Sequence, residues 1–187
     1  MKKSKILISG TGRSGTTFLI KIFSFLNFDT GFDKSNYTKY VFSNCNSGME
    51  HNFNSKHYIL KNPTYITRID EILELYNIKH MIIPIRDYEE SAKSRESHKK
   101  KDGGLWNATD KDEQLIYYYK IMSEYLYKMV KYNINTIFLD FIQMTTDKQY
   151  LYDKLKIILD EKNIDFETFS KEYDFASENS KPKQVSN

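Results

Sequence analysis

Cysteine occurs once in the 187 residues, at Cys45, so the chain has no internal disulfide. A lone thiol suits a reducing compartment. No apolar run approaches the roughly 20 residues that a bilayer-spanning helix needs. The opening Met-Lys-Lys-Ser-Lys leaves only Ile6 to Ser9 before the first glycine, too short for a signal peptide, so a cytoplasmic location is expected. Neither sign of charge dominates: 28 Lys and Arg against 25 Asp and Glu give +3, which argues against a general nucleic-acid footprint. The four histidines and one cysteine fall at no metal-ligand spacing, and no metal site is expected. Glycine is scarce too, and three of the seven crowd into Gly10, Gly12 and Gly15.

What is present reads as a folded chain. Hydrophobic residues make up 40% and charged residues 28%, the proportions of a globular protein. The length fits one domain over 1–187, and no repeat or linker divides it. The glycines follow the apolar run Ile6-Leu7-Ile8 and precede a helical pattern from Thr16. Strand, glycine-rich turn and helix N-terminus together form a phosphate cradle. Backbone N–H groups point at the anion, the helix end adds partial positive charge, and Thr16 and Thr17 add hydroxyls. Yet Thr16 stands where G-x-x-x-x-G-K-[ST] places its lysine, and the cation, Arg13, lies inside the loop. The pattern predicts a phosphate-like anion and argues against ATP.

Further elements follow from periodicity. Strands are predicted at Lys5–Ser9, His57–Lys61, His80–Ile85 and Asn135–Phe141, with a short one at Lys39–Ser43. Helices are predicted at Thr16–Phe28, Thr64–Tyr76, Tyr88–Lys99, Asp110–Tyr132, Asp147–Asp160 and Phe166–Tyr173, with a polar tail from Ser177. The stripe of the longest helix is expected to be Leu115, Tyr119, Met122, Leu126 and Met129. Pro84 requires a strand position whose N–H side is free. Asp29–Asn54 and Lys99–Asn107 read as irregular loops. Alternating strands and helices predict a three-layer α/β fold of the P-loop type, a central, mainly parallel sheet flanked by helices. Ligands then bind beyond the carboxyl ends of the strands, where the glycine loop, Lys61 and Arg86 should converge.

Gly-Thr-Gly-Arg13-Ser14-Gly15-Thr16-Thr17 resembles the 5′-phosphosulfate loop of sulfotransferases that use 3′-phosphoadenosine 5′-phosphosulfate (PAPS). The form is most similar to the protein-tyrosine, bacterial and carbohydrate branches. Arg86 with Ser94 eight residues on resembles the family's 3′-phosphate motif. Lys61-Asn62-Pro63 resembles its Lys-x-Pro strand end, and Phe138-Leu139-Asp140-Phe141 faintly resembles its Tyr-Glu-Asp-Leu segment. The matches run in family order over about residues 5–160, leaving 161–187 as a short helix and polar tail. The Arg-Lys-Gly loop of cytosolic members is missing; Lys181 or Lys183 would have to substitute for it.

The resemblance implies transfer of a sulfuryl group from PAPS to a hydroxyl or amine of a small-molecule, carbohydrate or lipid acceptor, with 3′,5′-adenosine bisphosphate as product and no metal. Gly12, Arg13, Ser14, Gly15, Thr16 and Thr17 would hold the 5′-phosphosulfate, and Arg86 and Ser94 the 3′-phosphate. Arg13 or Lys61 would neutralise the leaving oxygen. The general base is expected among Glu50, Asp33 and His51, in that order of preference. Trp106 and His98 are the candidate acceptor contacts, with Lys99-Lys100-Lys101 and Gly103-Gly104 as a flap. Two alternatives stand beside this reading: a P-loop small-molecule kinase using ATP and magnesium, and a non-catalytic nucleotide-binding module.

Overall fold

Ile6, Leu7 and Ile8 send alternate side chains to opposite faces of one sheet, because strand side chains alternate. The computed structural model describes residues 2–42, 47–98 and 104–180. Cys45, Lys99 to Lys101, Gly103, Lys181 and Lys183 lie outside that set. The first half contains β1 (Ser4–Ile8), α1 (Thr16–Phe25), a 3-10 turn (Tyr37–Tyr40), the hairpin strands β2 (Val41–Phe42) and β3 (Ser47–Gly48), and β4 (Ile59–Lys61). A second 3-10 turn (Pro63–Thr67) then leads to α2 (Ile69–Leu75), β5 (Asn77–Ile85) and α3 (Tyr88–His98). The remainder is α4 (Lys111–Lys131), β6 (Thr136–Asp140), α5 (Phe141–Thr146), α6 (Lys148–Leu159), a third 3-10 turn (Asp160–Lys162) and α7 (Phe166–Glu178).

The central sheet has the order β4-β1-β5-β6, with every pairing parallel. Helices cover both faces, as the alternation of strands and helices predicts. Ile6, Ile8 and Ile82 meet α1, α6 and α7 on one face. Leu7, Met81 and Ile83 meet α2 and α4 on the other. Pro84 fits because β1 pairs with β5 only as far as Ile82, and the missing N–H faces the loop beyond β1. No helix among the described residues is long and apolar enough to cross a membrane.

Several boundaries differ from expectation for local reasons. α1 stops at Phe25, not Phe28, in a C-terminal motif centred on Asn27 at φ 59°. Phe28 N–H bonds Phe23 O, Asn27 N–H bonds Ser24 O, and the Phe23 and Phe28 rings meet edge to face at 5.3 Å. The helix expected at Thr64–Tyr76 is a 3-10 turn followed by α2, separated at Arg68, whose φ of −121° is not helical. α5 follows β6 directly because Asp140 accepts from Gln143 N and caps it. Two residues of the expected α4 stripe are misplaced: Tyr119 and Leu126 are exposed, while Gln114, Tyr118, Ile121, Met122 and Tyr125 are buried. Three successive tyrosines hide the period, and Gln114 goes inward because its Oε1 accepts from Trp106 N at 2.6 Å.

Every residue of α1 is buried, since the sheet packs on one side and α7 on the other. α7 continues to Glu178, past the point where a polar tail was expected, and docks through Tyr173 on Phe18 and Phe175 on Phe25. Lys21, midway along α1, is buried there and donates to Asn179 O at 2.9 Å and Ser180 Oγ at 3.3 Å. Burial pushes its ammonium from an ordinary 10.5 down to about 8. The unfolded chain therefore holds this proton up to a higher pH than the folded one. Between pH 8 and 10.5 stability rises with pH, as the cost of the buried charge is relieved. Lys21→Met abolishes this dependence, so denaturant melts of both proteins should show their stability gap changing by up to about 3 kcal/mol across that window. A constant gap would mean that Lys21 is uncharged or solvated.

Candidate functional site

The chain leaves β1 through a turn that only unusual backbone angles close. Gly12 and Gly15 have φ of +74° and +88°, and Arg13 sits between them at +56°. Gly12 also meets a close neighbour: a Cβ there would stand 2.1 Å from Arg95 Nη2. Thr16 and Thr17 open α1 directly behind the turn. A cleft of about 650 Å³ lies over this loop, beyond the carboxyl ends of β1, β4 and β5. That volume is within the range of small-molecule sites.

Lys61 ends β4 and is buried, with its ammonium donating to Gly48 O at 2.8 Å and to Glu50 Oε1 at 3.1 Å. Glu50 is half exposed in the same cleft. Thr17 Oγ1 also approaches Gly48 O, at 3.5 Å, so the β3 turn ties Lys61 to the glycine loop. Arg86, just beyond β5, donates from Nη1 to Arg13 O at 3.2 Å, and its guanidinium lies 5.0 Å from the Phe141 ring centre. Asp87 does not neutralise it; its Oδ1 accepts from Glu90 N at 2.8 Å as a helix cap. Arg13 Nε donates to Ser94 Oγ at 3.1 Å, so Arg13, Arg86 and Ser94 form one connected group.

Arg95 joins that group unforeseen. It is buried, donates from Nε to Tyr118 OH at 2.7 Å and from Nη2 to Thr11 O at 3.3 Å, and also bonds Gly104 O. Trp106 lies 5.4 Å from its guanidinium and lines the cleft. Among the described residues neither Arg86 nor Arg95 pairs with a carboxylate. Burial raises the Tyr118 hydroxyl's pKa, and Arg95, Arg13 and Arg86 pull it back, a sign of how closely three guanidiniums converge. A local signal for Arg95 exists. Ser91 and Ala92, two of the four small residues of this helix and the two that are buried, share its face at i−4 and i−3.

The cleft therefore gathers Gly12, Arg13, Gly15, Thr16 and Thr17 with Lys61, Glu50, Arg86 and Trp106. Ser14 is buried beneath the loop, and its hydroxyl, like that of Thr11, has no partner among the described residues. No protein family matches the chain, and neither does any curated protein.

Three expected residues serve elsewhere. Asp33 is exposed outside the cleft, and hydrogen bonds from Ser35 and from the backbone at Ser35 and Asn36 hold its carboxyl below the ordinary range. His51 is buried behind Lys61 with both ring nitrogens engaged. Nδ1 accepts from Lys61 N at 3.0 Å, so Nε2 carries the hydrogen it donates to Thr30 O at 2.8 Å. Burial also lowers its pKa, and it has no lone pair left for an acceptor's proton. His98 turns back to its own helix, with Nδ1 donating to Ser94 O at 2.6 Å. Glu50 is the one expected base whose carboxylate lines the cleft. The residues that sequence reading passed over, Arg95, Gly48, Phe141, Ser177 and Ser180, are brought in by long-range packing.

Proposed function

We propose that the cleft is the donor site of a PAPS-dependent sulfotransferase built on a P-loop-type core. The observation that carries this reading is the convergence of the lysine-free glycine loop, the Lys61–Glu50 pair, Arg13 and Arg86 on one cleft, with Ser94 behind them on Arg13 Nε rather than on the cleft lining. A nucleoside triphosphate site leaves Arg86, across the cleft from Lys61, and the Ser94 hydroxyl bonded to Arg13 without a task. A donor with a second phosphate gives them one. The Arg86 guanidinium, paired with no carboxylate among the described residues, and Arg13 and Lys61 beside it in the cleft fit a polyanion seated on the loop.

When bound, PAPS supplies the sulfuryl group and leaves as 3′,5′-adenosine bisphosphate. Arg13, Thr16, Thr17 and the N-terminal N–H groups of α1 hold the 5′ end. Arg86 and Ser94 hold the 3′-phosphate. Lys61 steadies the negative charge that grows on the leaving oxygen, a cation fixed in advance by Gly48 O. Glu50 takes the proton of the acceptor hydroxyl.

The reading is tested by incubating the chain with PAPS and a panel of hydroxyl and amine acceptors, and measuring release of 3′,5′-adenosine bisphosphate. Consumption of ATP with magnesium in place of PAPS would overturn it. Hydrogen bonds to charged groups support a second expectation: Arg86→Ala should weaken 3′,5′-adenosine bisphosphate by about 10–100-fold and leave 5′-AMP nearly unchanged. Equal losses for both ligands would remove Arg86 from the 3′-phosphate.

A further inference from the structure

Beside the cleft lies a second cavity of about 450 Å³, and Glu50 lines both. It is lined by residues that precede β4, one of the two edge strands of the sheet. Glu50 stands at the carboxyl end, tied to Lys61, and His57 lies four residues upstream of Lys61. Only Ile59–Lys61 of that stretch is strand, so the span is less than the roughly 13 Å of four extended residues, room for one six-membered ring and part of the next.

Tyr40, 52% exposed, is a large ring held only at the surface, with Phe32 at 5.1 Å between centroids. Asn52 and Asn54 add exposed amides. His57 Nδ1 donates to Asp29 Oδ1 at 2.6 Å, which fixes the ring, and Nε2 has no partner among the described residues. Gly31 permits that arrangement, since at φ +75° its Cβ would stand 2.5 Å from His57 Nε2. Both nearby carboxylates are engaged, Asp29 by His57 and Glu50 by Lys61. Lys56 is the one lysine on the lining, which includes no arginine among the described residues. A polyanion would call for a cluster of cations, and a fused apolar ligand for a closed, dry pocket. An aromatic face rimmed by amides and a fixed imidazole matches a ring that is apolar on its faces and hydroxylated at its edges.

We propose that this cavity holds the acceptor, and that the acceptor is the end of a neutral oligosaccharide. The hydroxyl to be sulfated sits at Glu50, and the next ring lies against Tyr40 and His57. The proposal rests on the reading of the cleft as a PAPS site, and it moves acceptor recognition away from Trp106 and His98. The acceptor oxygen bonds sulfur, its proton passes to Glu50, and the bond from sulfur to the 5′-phosphate oxygen breaks.

The test is calorimetric titration of the full chain, saturated with 3′,5′-adenosine bisphosphate, with chitobiose and cellobiose. N-acetylglucosamine, 2-naphthol and a heparin disaccharide serve as comparators. The neutral disaccharides should bind best, and Tyr40→Ala and His57→Ala should each weaken them by about five- to tenfold. If His57→Ala fails to fold, Tyr40→Ala, at an exposed ring, carries the test. Indifference to Tyr40→Ala, loss of disaccharide binding in Trp106→Ala instead, or preference for 2-naphthol or the heparin disaccharide would overturn the proposal. Binding of the bisphosphate without any disaccharide would overturn it too, and leave the donor reading intact. Tyr40-dependent disaccharide binding with no bisphosphate binding would support the sugar site and overturn the donor reading.

Discussion

Glu50→Gln should reduce PAPS turnover by about 10²–10⁴-fold, the usual worth of a positioned general base. Affinity for 3′,5′-adenosine bisphosphate should stay near the wild-type value. Glutamine keeps the size of the side chain and an oxygen for Lys61, whose ammonium now lies 3.1 Å from the carboxylate. It cannot take a proton from an acceptor hydroxyl. The split between lost turnover and kept binding separates a base from a residue that merely orders the loop. Asp33→Asn and His51→Gln provide the contrast. Asp33 is exposed outside the cleft, so its substitution should leave turnover alone. His51 is bonded through both nitrogens, so its replacement should lower stability more than chemistry. Turnover by the Glu50→Gln variant within tenfold of wild type would remove Glu50 from the base role.

Gly48→Ala carries the largest expected cost in stability. Gly48 has φ +119°, and a Cβ would stand 2.0 Å from the carbonyl oxygen of Tyr40. That neighbour is backbone, at the end of the 3-10 turn just before β2 and already bonded by Met49 N, so it cannot swing aside as a side chain would. Backbone strain and overpacking each cost roughly 1–3 kcal/mol, about 2–6 kcal/mol together, and a loss of about 3 kcal/mol is expected. For a chain of this size that lowers Tm by about 6–12 °C. Gly48 O also holds the Lys61 ammonium at 2.8 Å, so turnover should fall alongside stability. Thermal melts and rates measured on one preparation would check both. An unchanged Tm would show that the hairpin opens without cost and does not fix Lys61.

Much of the cleft is legible in the sequence because it is local. An apolar run, a glycine turn and a helix start are contiguous, and strand-end residues such as Lys61 and Arg86 are marked by where the apolar runs stop. Arg95 and Lys21 were harder to see, since a cation on a helix ordinarily faces water. Their burial depends on carbonyls far away in sequence, Thr11 for Arg95 and Asn179 for Lys21. The face of α4 was misread for a related reason. Tyr117, Tyr118 and Tyr119 are alike to a hydrophobic count, and only the bond from Arg95 to Tyr118 OH selects the inward one. His51 illustrates the opposite error. A histidine beside a glutamate in a loop reads as chemistry, and the structure uses it to lock Lys61 N to Thr30 O. Asn27 and Asp140 are ordinary capping residues at boundaries that periodicity alone does not mark, whereas the expected start at Asp147 agrees with its place as the cap of α6.

The account turns on a donor with phosphates at both ends of its ribose. Calorimetric titration of the wild-type chain with 3′,5′-adenosine bisphosphate, 5′-AMP and ATP with magnesium tests this most directly. The 3′-phosphate contacts predict that the bisphosphate binds about 10–100-fold more tightly than 5′-AMP. Magnesium should not be needed. Equal affinity for the bisphosphate and 5′-AMP, or tighter magnesium-dependent binding of ATP, would contradict it.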